Sequence, residues 1–231
     1  MTALPFDAVL FDCDGVLVDS EPITNGVLVQ MLGELGWQLS LEECMTIFVG
    51  KAVKDEKALI EARTGFALTP EWLQGFWVRR NEALARDLLA VPGAVEGVRA
   101  VHAALAGRIA CASGADRHKV ELQLDKIGLL DAFAGRIFSG HETPRSKPWP
   151  DVYLAAAEAL GVDPSRCAVV EDTVTGARAG IAAGATVFGY SPGGLGHSSA
   201  EALRASGVAQ IFPDMAQLPT VLAAWQPKTT R

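Results

Sequence analysis

Positive charge is missing from the amino-terminal fifth of the sequence. The first 50 of the 231 residues contain eight carboxylates and no lysine or arginine, and the first basic residue is Lys51. The net charge of −7 arises almost entirely in this segment, and it argues against a general nucleic-acid-binding protein. An acidic excess can attract a cation, although an acidic surface that simply faces solvent is the commoner explanation.

The sequence also lacks the features of a secretory signal peptide. No positively charged segment comes first, and Asp7, Asp12 and Asp14 occupy positions where the apolar segment would lie. One stretch, Ala179 to Ala200, is uncharged for 22 residues, but its glycines, proline and histidine make it a poor membrane span. We therefore expect no signal peptide and no membrane partner.

Cysteine is scarce and shows no CxxC pairing. The four cysteines are Cys13, Cys44, Cys111 and Cys167, and three of them lie in or beside apolar runs. Such residues behave as small, buried hydrophobic side chains. The pattern favours a reduced, cytoplasmic protein.

Charged residues are too few for a disordered chain, at 20% against 49% hydrophobic residues. An apolar, β-prone run begins near residue 7, and from residue 91 onward similar runs alternate with helix-period segments. The strand runs cover residues 7–11, 108–112, 136–138, 167–170, 186–190 and 208–212, and the helices cover 94–105, 116–127, 151–160, 174–183 and 199–205. This order predicts an α/β fold with a doubly wound parallel sheet and helices on both faces.

The alternation stops between residues 20 and 90. This part shows only helix-period segments, near residues 22–35, 41–48, 52–63 and 70–88. Because these segments follow the first strand and precede the others, they predict a second, all-helical domain joined to the sheet by two chain crossings. The predicted domains are an α/β core at residues 1–19 and 91–231 and a helical cap at residues 20–90.

Polar residues lie at or just after the ends of four predicted strands, where ligands bind in open parallel sheets. They are Asp12 and Asp14, Ser113 and Gly114, Lys147, and Glu171 and Asp172. Each group alone has an ordinary explanation as a solvated turn or a helix N-cap, but all four fall at the same edge of the sheet. Clustered carboxylates repel one another unless a cation binds them, and oxygen ligands favour Mg²⁺. A carboxylate nucleophile, a hard metal and nearby donors for an anion together indicate phosphoryl transfer.

At these positions the sequence resembles the haloacid dehalogenase superfamily. The stretch from Asp12 to Glu21 (DCDGVLVDSE) is similar to its first motif, and Ser113, Lys147-Pro148 and the run from Val169 to Gly184 are similar to the other three. The resemblance covers nearly the whole chain. It implies a Rossmann-like core with an inserted helical cap, of the small type found in β-phosphoglucomutase and many sugar-phosphate phosphatases.

The resemblance also implies roles for individual residues. Asp12 attacks phosphorus and becomes a phosphoaspartate, while Asp14 protonates the leaving oxygen and then activates the water that hydrolyses the intermediate. Ser113 and the N–H of Gly114 bind phosphoryl oxygens, and Lys147 neutralises developing charge. The implied partner is a small phosphate ester.

A metal site follows from the same resemblance. Mg²⁺ is held by Asp12, the backbone carbonyl of Asp14 and Asp172, with Glu171 either as a direct ligand or as a partner behind the ligands.

Departures from relatives narrow the implied activity to hydrolysis of phosphate esters. Dehalogenases of the superfamily lack an acid at the position of Asp14. The β-phosphoglucomutases carry a histidine where this chain has Thr24 and an arginine where it has Val53. A mutase must retain a bisphosphate and protect its phosphoaspartate, so the loss of both groups favours a phosphatase.

Three basic residues of the predicted cap stand near the positions that contact substrate in relatives. They are Lys51, Lys54 and Arg80, and each could equally face solvent. Basic groups there would suit a substrate with a second anionic group. The first motif and the cap most resemble those of phosphatases that act on phosphorylated sugar acids, such as 6-phosphogluconate.

Other classes of protein stay open. One alternative is a phosphosugar mutase similar to β-phosphoglucomutase. Another is a phosphate-accepting signalling domain, since receiver domains also gather aspartates, a hydroxyl and a lysine at a sheet edge, but they have no helical insert after the first aspartate. A binding module without activity is disfavoured because no motif position is lost. The sequence does not indicate the oligomeric state, and a monomer is compatible with it.

Overall fold

Six parallel β-strands form one sheet in the computed structural model, which describes residues 4–226. The strands are β1 (Ala8–Phe11), β2 (Ile109–Ser113), β3 (Ile137–Ser139), β4 (Cys167–Glu171), β5 (Thr186–Tyr190) and β6 (Gln210–Phe212). Their order is β3-β2-β1-β4-β5-β6, and every neighbouring pair runs parallel. The predicted doubly wound α/β fold is therefore confirmed. The direction of winding reverses between β1 and β4, which places a ligand site beyond their carboxyl ends.

The helices between these strands begin and end close to the predicted positions. They are α1 (Glu21–Glu34), α2 (Leu41–Phe48), α3 (Lys57–Thr64), α4 (Pro70–Asp87), α5 (Ala94–Ala104), α6 (Arg117–Lys126), α7 (Asp151–Ala159), α8 (Val174–Ala182), α9 (Ala200–Ser206) and α10 (Leu218–Ala223). Several short elements differ from the prediction. A 3₁₀ turn at Val53–Glu56 precedes α3, three further 3₁₀ turns lie at Asp131–Phe133, Pro164–Arg166 and Met215–Gln217, and α10 was not predicted. No helix within residues 4–226 is both long and apolar enough to cross a bilayer.

The sheet is buried on both faces by two separate groups of side chains. Along β1, Val9 and Phe11 belong to the hydrophobic cluster that includes α5, α6 and α10, whereas Ala8 and Leu10 belong to the cluster that includes α7 and α8. Consecutive residues of a strand point to opposite faces, so a central strand of this fold must be apolar throughout. This continuous apolar run explains why β1 could be recognised in the sequence.

Helices α1 to α4 lie between β1 and α5 in the chain and share a third hydrophobic cluster. Its members include Leu28, Phe48, Ile60 and Phe76, and all four are buried. Two backbone hydrogen bonds join the segments that lead into and out of this group of helices. Asp19 donates its N–H to Leu89 at 3.1 Å, and Val91 donates to Leu17 at 3.0 Å. The boundaries of the predicted cap domain, residues 20–90, stay a prediction.

All four cysteines are buried and free, and none forms a disulfide. Cys13 and Cys111 pack in the same hydrophobic cluster of the sheet, while Cys44 packs among α1 to α4. They contribute small apolar side chains, as the position of three of them in or beside apolar runs predicted.

Candidate active site

The loops at the carboxyl ends of the strands meet at one cavity of about 420 Å³, which α1 and α4 close from the other side. The seven residues singled out at the predicted strand ends all line it: Asp12, Asp14, Ser113, Gly114, Lys147, Glu171 and Asp172. Parallel strands bring residues from distant parts of the chain to a common edge. The cavity is therefore the candidate active site.

A buried lysine joins two of the carboxylates. Lys147 Nζ lies 2.7 Å from Asp12 Oδ1 and 2.7 Å from Glu171 Oε1. Although burial opposes the charged form, the two carboxylates hold the pKa of Lys147 well above its usual value, so the side chain is a cation. Burial raises the pKa of Asp12 to about 7, against the charge of Lys147 and together with repulsion from Glu171 and Asp14. A second cation beside Asp12 would favour its anionic, nucleophilic form.

The carboxylate of Glu171 is completely enclosed and receives five hydrogen bonds. Its Oε1 accepts from Lys147 Nζ and from the hydroxyl of Tyr153 at 2.8 Å. Its Oε2 accepts from the N–H groups of Asp172 and Thr173 at 3.1 and 3.2 Å and from Thr173 Oγ1 at 3.0 Å. Five donors leave these two oxygens little capacity for another partner. Glu171 thus links Lys147 to the start of α8.

Two glycines allow the backbone to approach these carboxylates closely. A Cβ atom at Gly176 would lie 1.6 Å from Glu171 Oε1, which no rearrangement of a buried, fully bonded carboxylate can tolerate. At Gly15, where φ is +76°, a Cβ atom would lie 2.2 Å from Asp172 Oδ2. Both positions require glycine, because the loop at Gly15 and the first turn of α8 at Gly176 pack directly against the acidic groups.

Three carboxylates are arranged so that they could hold a metal ion. Asp12, Glu171 and Asp172 each offer an oxygen, and these oxygens lie within 4.8 Å of one another. The Oδ1 atom of Asp172 is buried and has no hydrogen-bond partner among residues 4–226. Burial, with repulsion from Glu171 and Asp12, raises the pKa of Asp172 well above its usual value. An unpartnered carboxylate oxygen in a cluster of oxygen ligands fits a hard divalent cation.

Asp14 faces a different set of partners. Its Oδ1 accepts hydrogen bonds from the hydroxyl of Ser20, from Lys119 Nζ at 2.8 Å and from Gln123 Nε2 at 2.8 Å. Burial alone would raise the pKa of Asp14, but the charge of Lys119 and these hydrogen bonds lower it to about 2. In this arrangement Asp14 is a carboxylate that three donors hold beside α6.

Sequence reasoning missed Lys119 and Gln123. Both are buried, and they lie one turn apart on the face of α6 that also carries Val120 and Leu124. The available signal was a lysine and a glutamine in the inward stripe of an amphipathic helix, next to the predicted Ser113 site. Buried lysines are rare unless they are paired.

The end of β2 places two groups in the cavity wall that could donate hydrogen bonds to an anion. The Ser113 hydroxyl oxygen is buried and accepts the N–H of Ala115 at 3.1 Å, so that its proton can be donated into the cavity. Gly114 follows directly, and a Cβ atom there would meet only Ser146 Oγ at 3.8 Å. The arrangement matches the predicted position of both residues.

The three basic residues predicted in the cap all line the cavity, but they differ in their partners. Arg80 is buried, and its Nη2 lies 2.9 Å from Asp116 Oδ2, the carboxylate that caps α6. Lys51 is exposed and pairs with Glu56 at 3.5 Å. Lys54 is exposed on the cavity wall. Lys54 is thus better placed than Arg80 to meet a new anion.

Comparison with known proteins agrees with this geometry. The family model described as haloacid dehalogenase-like hydrolase matches residues 6–184. A 6-phosphogluconate phosphatase of Escherichia coli K12 is 34% identical over 182 residues, covering 79% of this chain and 81% of the relative. Hexitol phosphatase B of the same organism is 31% identical over 178 residues, covering 76% and 79%.

A solved structure extends the similarity to 95% of the chain. A HAD family hydrolase from Deinococcus radiodurans R1, crystallised with bound phosphate and sodium, superimposes with a TM-score of 0.78 at 39% identity, covering 95% of this chain and 96% of that one. The family match includes the carboxyl ends of β1, β2 and β4 and the loop after β3 that carries Lys147. The chain therefore belongs to the haloacid dehalogenase-like hydrolase family.

Proposed function

We propose that this chain is a Mg²⁺-dependent phosphatase that hydrolyses a small phosphorylated sugar or sugar acid through a phosphoaspartate on Asp12. The observation that carries the proposal is the buried pair of Asp12 and Lys147, 2.7 Å apart, beside the unpartnered oxygen of Asp172. A nucleophile, a fixed cation and a free oxygen ligand thus line one cavity. Relatives named 6-phosphogluconate phosphatase and hexitol phosphatase B support an ester of a sugar-derived compound.

In the first step, a carboxylate oxygen of Asp12 forms a bond to phosphorus while the bond from phosphorus to the ester oxygen breaks. Asp14 gives a proton to the departing oxygen, which leaves as an alcohol. Ser113, the N–H of Gly114 and Lys147 donate to the other phosphoryl oxygens and stabilise the charge that develops there. To carry this proton, Asp14 must leave the donors that hold it as a carboxylate, and we infer that it does so when substrate enters.

In the second step, water attacks the phosphorus of the phosphoaspartate and gives a proton to Asp14. The bond between phosphorus and the Asp12 oxygen breaks, which releases inorganic phosphate and restores the Asp12 carboxylate. Hydrogen bonds from Lys119 and Gln123 favour the ionised form of Asp14, which is the form that accepts the proton.

Asp12, Asp172 and the backbone carbonyl of Asp14 would hold Mg²⁺. The ion would supply positive charge beside the nucleophile and the phosphoryl group. Glu171, whose oxygens already have five donors, would support Lys147 and Asp172 from behind.

Residues 20–90 would act as the cap that selects the substrate. Thr24 lines the cavity and its Oγ1 is buried without a partner among the described residues, so a turn of this side chain would let it bind a substrate hydroxyl. Lys54 would meet a second anionic group. Because Arg80 is engaged by Asp116, we assign it to cap closure, where it would join α4 to α6, and only secondarily to substrate.

The experiment is a panel of phosphate esters assayed with Mg²⁺, comprising 6-phosphogluconate, hexitol phosphates and β-glucose 1-phosphate with a trace of the 1,6-bisphosphate. We expect release of inorganic phosphate, with an Asp12→Asn variant as the inactive control. Glucose 6-phosphate forming faster than phosphate would instead establish a mutase. Phosphorylation that stops after one equivalent would establish a signalling domain.

We further propose a cytoplasmic location, which four buried and unpaired cysteines support. Size-exclusion chromatography with light scattering would test the monomer that the sequence allows.

A further inference from the structure

The segment between β5 and α9 contacts both carboxylate-bearing loops of the site. His197 Nε2 lies 3.0 Å from the backbone oxygen of Gly15 and 4.0 Å from Asp172 Oδ2. The next residue, Ser198, donates its N–H to the Asp172 carbonyl at 3.0 Å, and its Oγ accepts the N–H of Val174 at 3.1 Å. Two adjacent residues of this segment therefore join the loop after β1 to the loop after β4.

The contact with Gly15 shows which nitrogen of the His197 ring carries the proton. A backbone carbonyl only accepts hydrogen bonds, so Nε2 of His197 must carry the proton. The other ring nitrogen, Nδ1, is buried and has no partner among residues 4–226. The ring also packs edge-on against Tyr190, with 5.6 Å between centroids. A phenyl ring would make this packing contact without burying an unpartnered nitrogen, so the packing alone does not account for a histidine here.

Gly15 connects His197 to the proposed metal ligands. Its N–H donates to the Val18 carbonyl at 2.9 Å, and its carbonyl oxygen accepts from His197. Hydrogen bonds therefore hold both polar backbone groups of Gly15. The N–H of Gly15 and the carbonyl of Asp14 belong to one planar peptide group, which ties the direction of that carbonyl to the same turn. The backbone of Gly15 also lies against Asp172 Oδ2.

These contacts give the two carboxylate oxygens of Asp172 different surroundings. Oδ2 faces Gly15 and His197, while Oδ1 is buried and unpartnered. If the His197 contact were lost, nothing on the side of His197 would hold the turn at Gly15. Nothing on that side would then determine which oxygen of Asp172 faces Gly15.

We propose that His197 is a positioning residue for the cation site. It holds the Gly15 turn against Asp172, so that the carbonyl of Asp14 and Oδ1 of Asp172 keep their spacing from Asp12. The inference rests on the proposed function, because it presupposes a cation at these three groups. His197 itself is not a ligand of the ion.

The test measures binding of the metal to the metal-free protein, independently of turnover. Mn²⁺ binding is followed by electron paramagnetic resonance and Mg²⁺ binding by titration calorimetry. His197→Phe keeps the aromatic contact with Tyr190 and removes the donor, whereas His197→Gln keeps a donor near the position of Nε2. We expect a loss of about 10–100-fold in affinity for His197→Phe and a smaller loss for His197→Gln. Leu195→Ala, an exposed position of the same segment, should bind as the wild type does.

Turnover separates positioning from a direct catalytic role. In His197→Phe, the Mg²⁺ concentration for half-maximal activity should rise by the same factor as the dissociation constant, while kcat at saturating Mg²⁺ stays within a few-fold of wild type. Wild-type Mn²⁺ affinity in a folded His197→Phe variant would overturn the proposal and leave His197 a packing residue.

Two further outcomes are distinguishable. If His197→Phe fails to fold by circular dichroism, His197→Met replaces it, and equal Mn²⁺ affinity in His197→Met and His197→Gln would then overturn the proposal. Absence of Mn²⁺ and Mg²⁺ binding in the wild type would overturn the cation site itself, and with it the proposed function.

Discussion

Replacement of Glu171 by glutamine should destabilise the protein although the two side chains have nearly the same shape. Five donors point at the two oxygens of Glu171, from Lys147, Tyr153, Asp172 and Thr173. A glutamine must turn its NH₂ group toward one set of these donors. On the Oε2 side the NH₂ group would meet three donors, and on the Oε1 side only two. The amide nitrogen should therefore face Lys147 and Tyr153, and the hydrogen bonds that these two residues donate would be lost.

The magnitude follows from these contacts. A hydrogen bond to a charged group contributes about 1.5–3 kcal/mol, so the loss of two amounts to about 3–6 kcal/mol. Removal of a buried charge recovers part of this energy, which leaves a net destabilisation of about 2–4 kcal/mol. Lys147 would also lose one of its two carboxylate partners and move relative to Asp12, so kcat should fall by about 10²–10³, the range seen when one group that stabilises the transition state is lost.

The assay is urea unfolding at pH 7 in the presence of a chelator, so that metal affinity does not enter the comparison. Glu158→Gln, an exposed carboxylate on α7, provides the matched control and should unfold as the wild type does. A Glu171→Gln variant with a free energy of unfolding within about 0.5 kcal/mol of wild type would show that the hydrogen bonds to Glu171 do not stabilise the fold, since surface changes without specific contacts fall in that range.

Three further predictions concern the proposed chemistry. Asp12→Asn should keep the fold, as judged by circular dichroism, and lose all but a few per cent of turnover, because it removes the anionic nucleophile at constant volume; substantial residual activity would argue against a covalent mechanism. Lys119→Met should slow hydrolysis of the phosphoaspartate about 10–100-fold, equally after a sugar ester and after an aryl phosphate, because Asp14 loses the cation that favours its ionised, proton-accepting form; Lys126→Met, exposed on the same helix, is the control, and a loss confined to sugar esters would instead place Lys119 in leaving-group protonation. Activity should disappear in excess chelator, return with Mg²⁺ and be inhibited by Ca²⁺. The larger radius and higher coordination number of Ca²⁺ allow a second oxygen of Asp12 to bind it, which would turn the nucleophile away from phosphorus. Full activity with Ca²⁺ would contradict this prediction.

The sequence predicted the sheet well because each buried parallel strand is a continuous apolar run. β1 and β4 are completely buried and begin and end within one residue of the predicted positions. The six-residue α10 has no room for a repeated apolar pattern, and the 3₁₀ turn at Val53–Glu56 does not follow the 3.6-residue period. Both features therefore escaped prediction.

The residues at the strand ends could be brought together from the sequence because topology alone places them at one edge. Partners that depend on side-chain direction could not. Lys119 is separated from Asp14 by 105 residues, and nothing in the sequence says which way its side chain points from α6. The same holds for Arg80, whose partner Asp116 lies 36 residues away. Tertiary packing, rather than local propensity, determines these pairs.

Asp12 should carry the phosphoryl group during turnover, and the decisive experiment is to trap that group on the enzyme. An Asp14→Asn variant, in which activation of water is impaired, should be mixed with Mg²⁺ and an aryl phosphate, whose leaving group needs no proton from Asp14, then quenched in acid within one turnover and digested for mass spectrometry. We expect one phosphoryl group on Asp12, and hydroxylamine should remove it, as it does from an acyl phosphate. Release of a full equivalent of phosphate with Asp12 unmodified at every time point would contradict it.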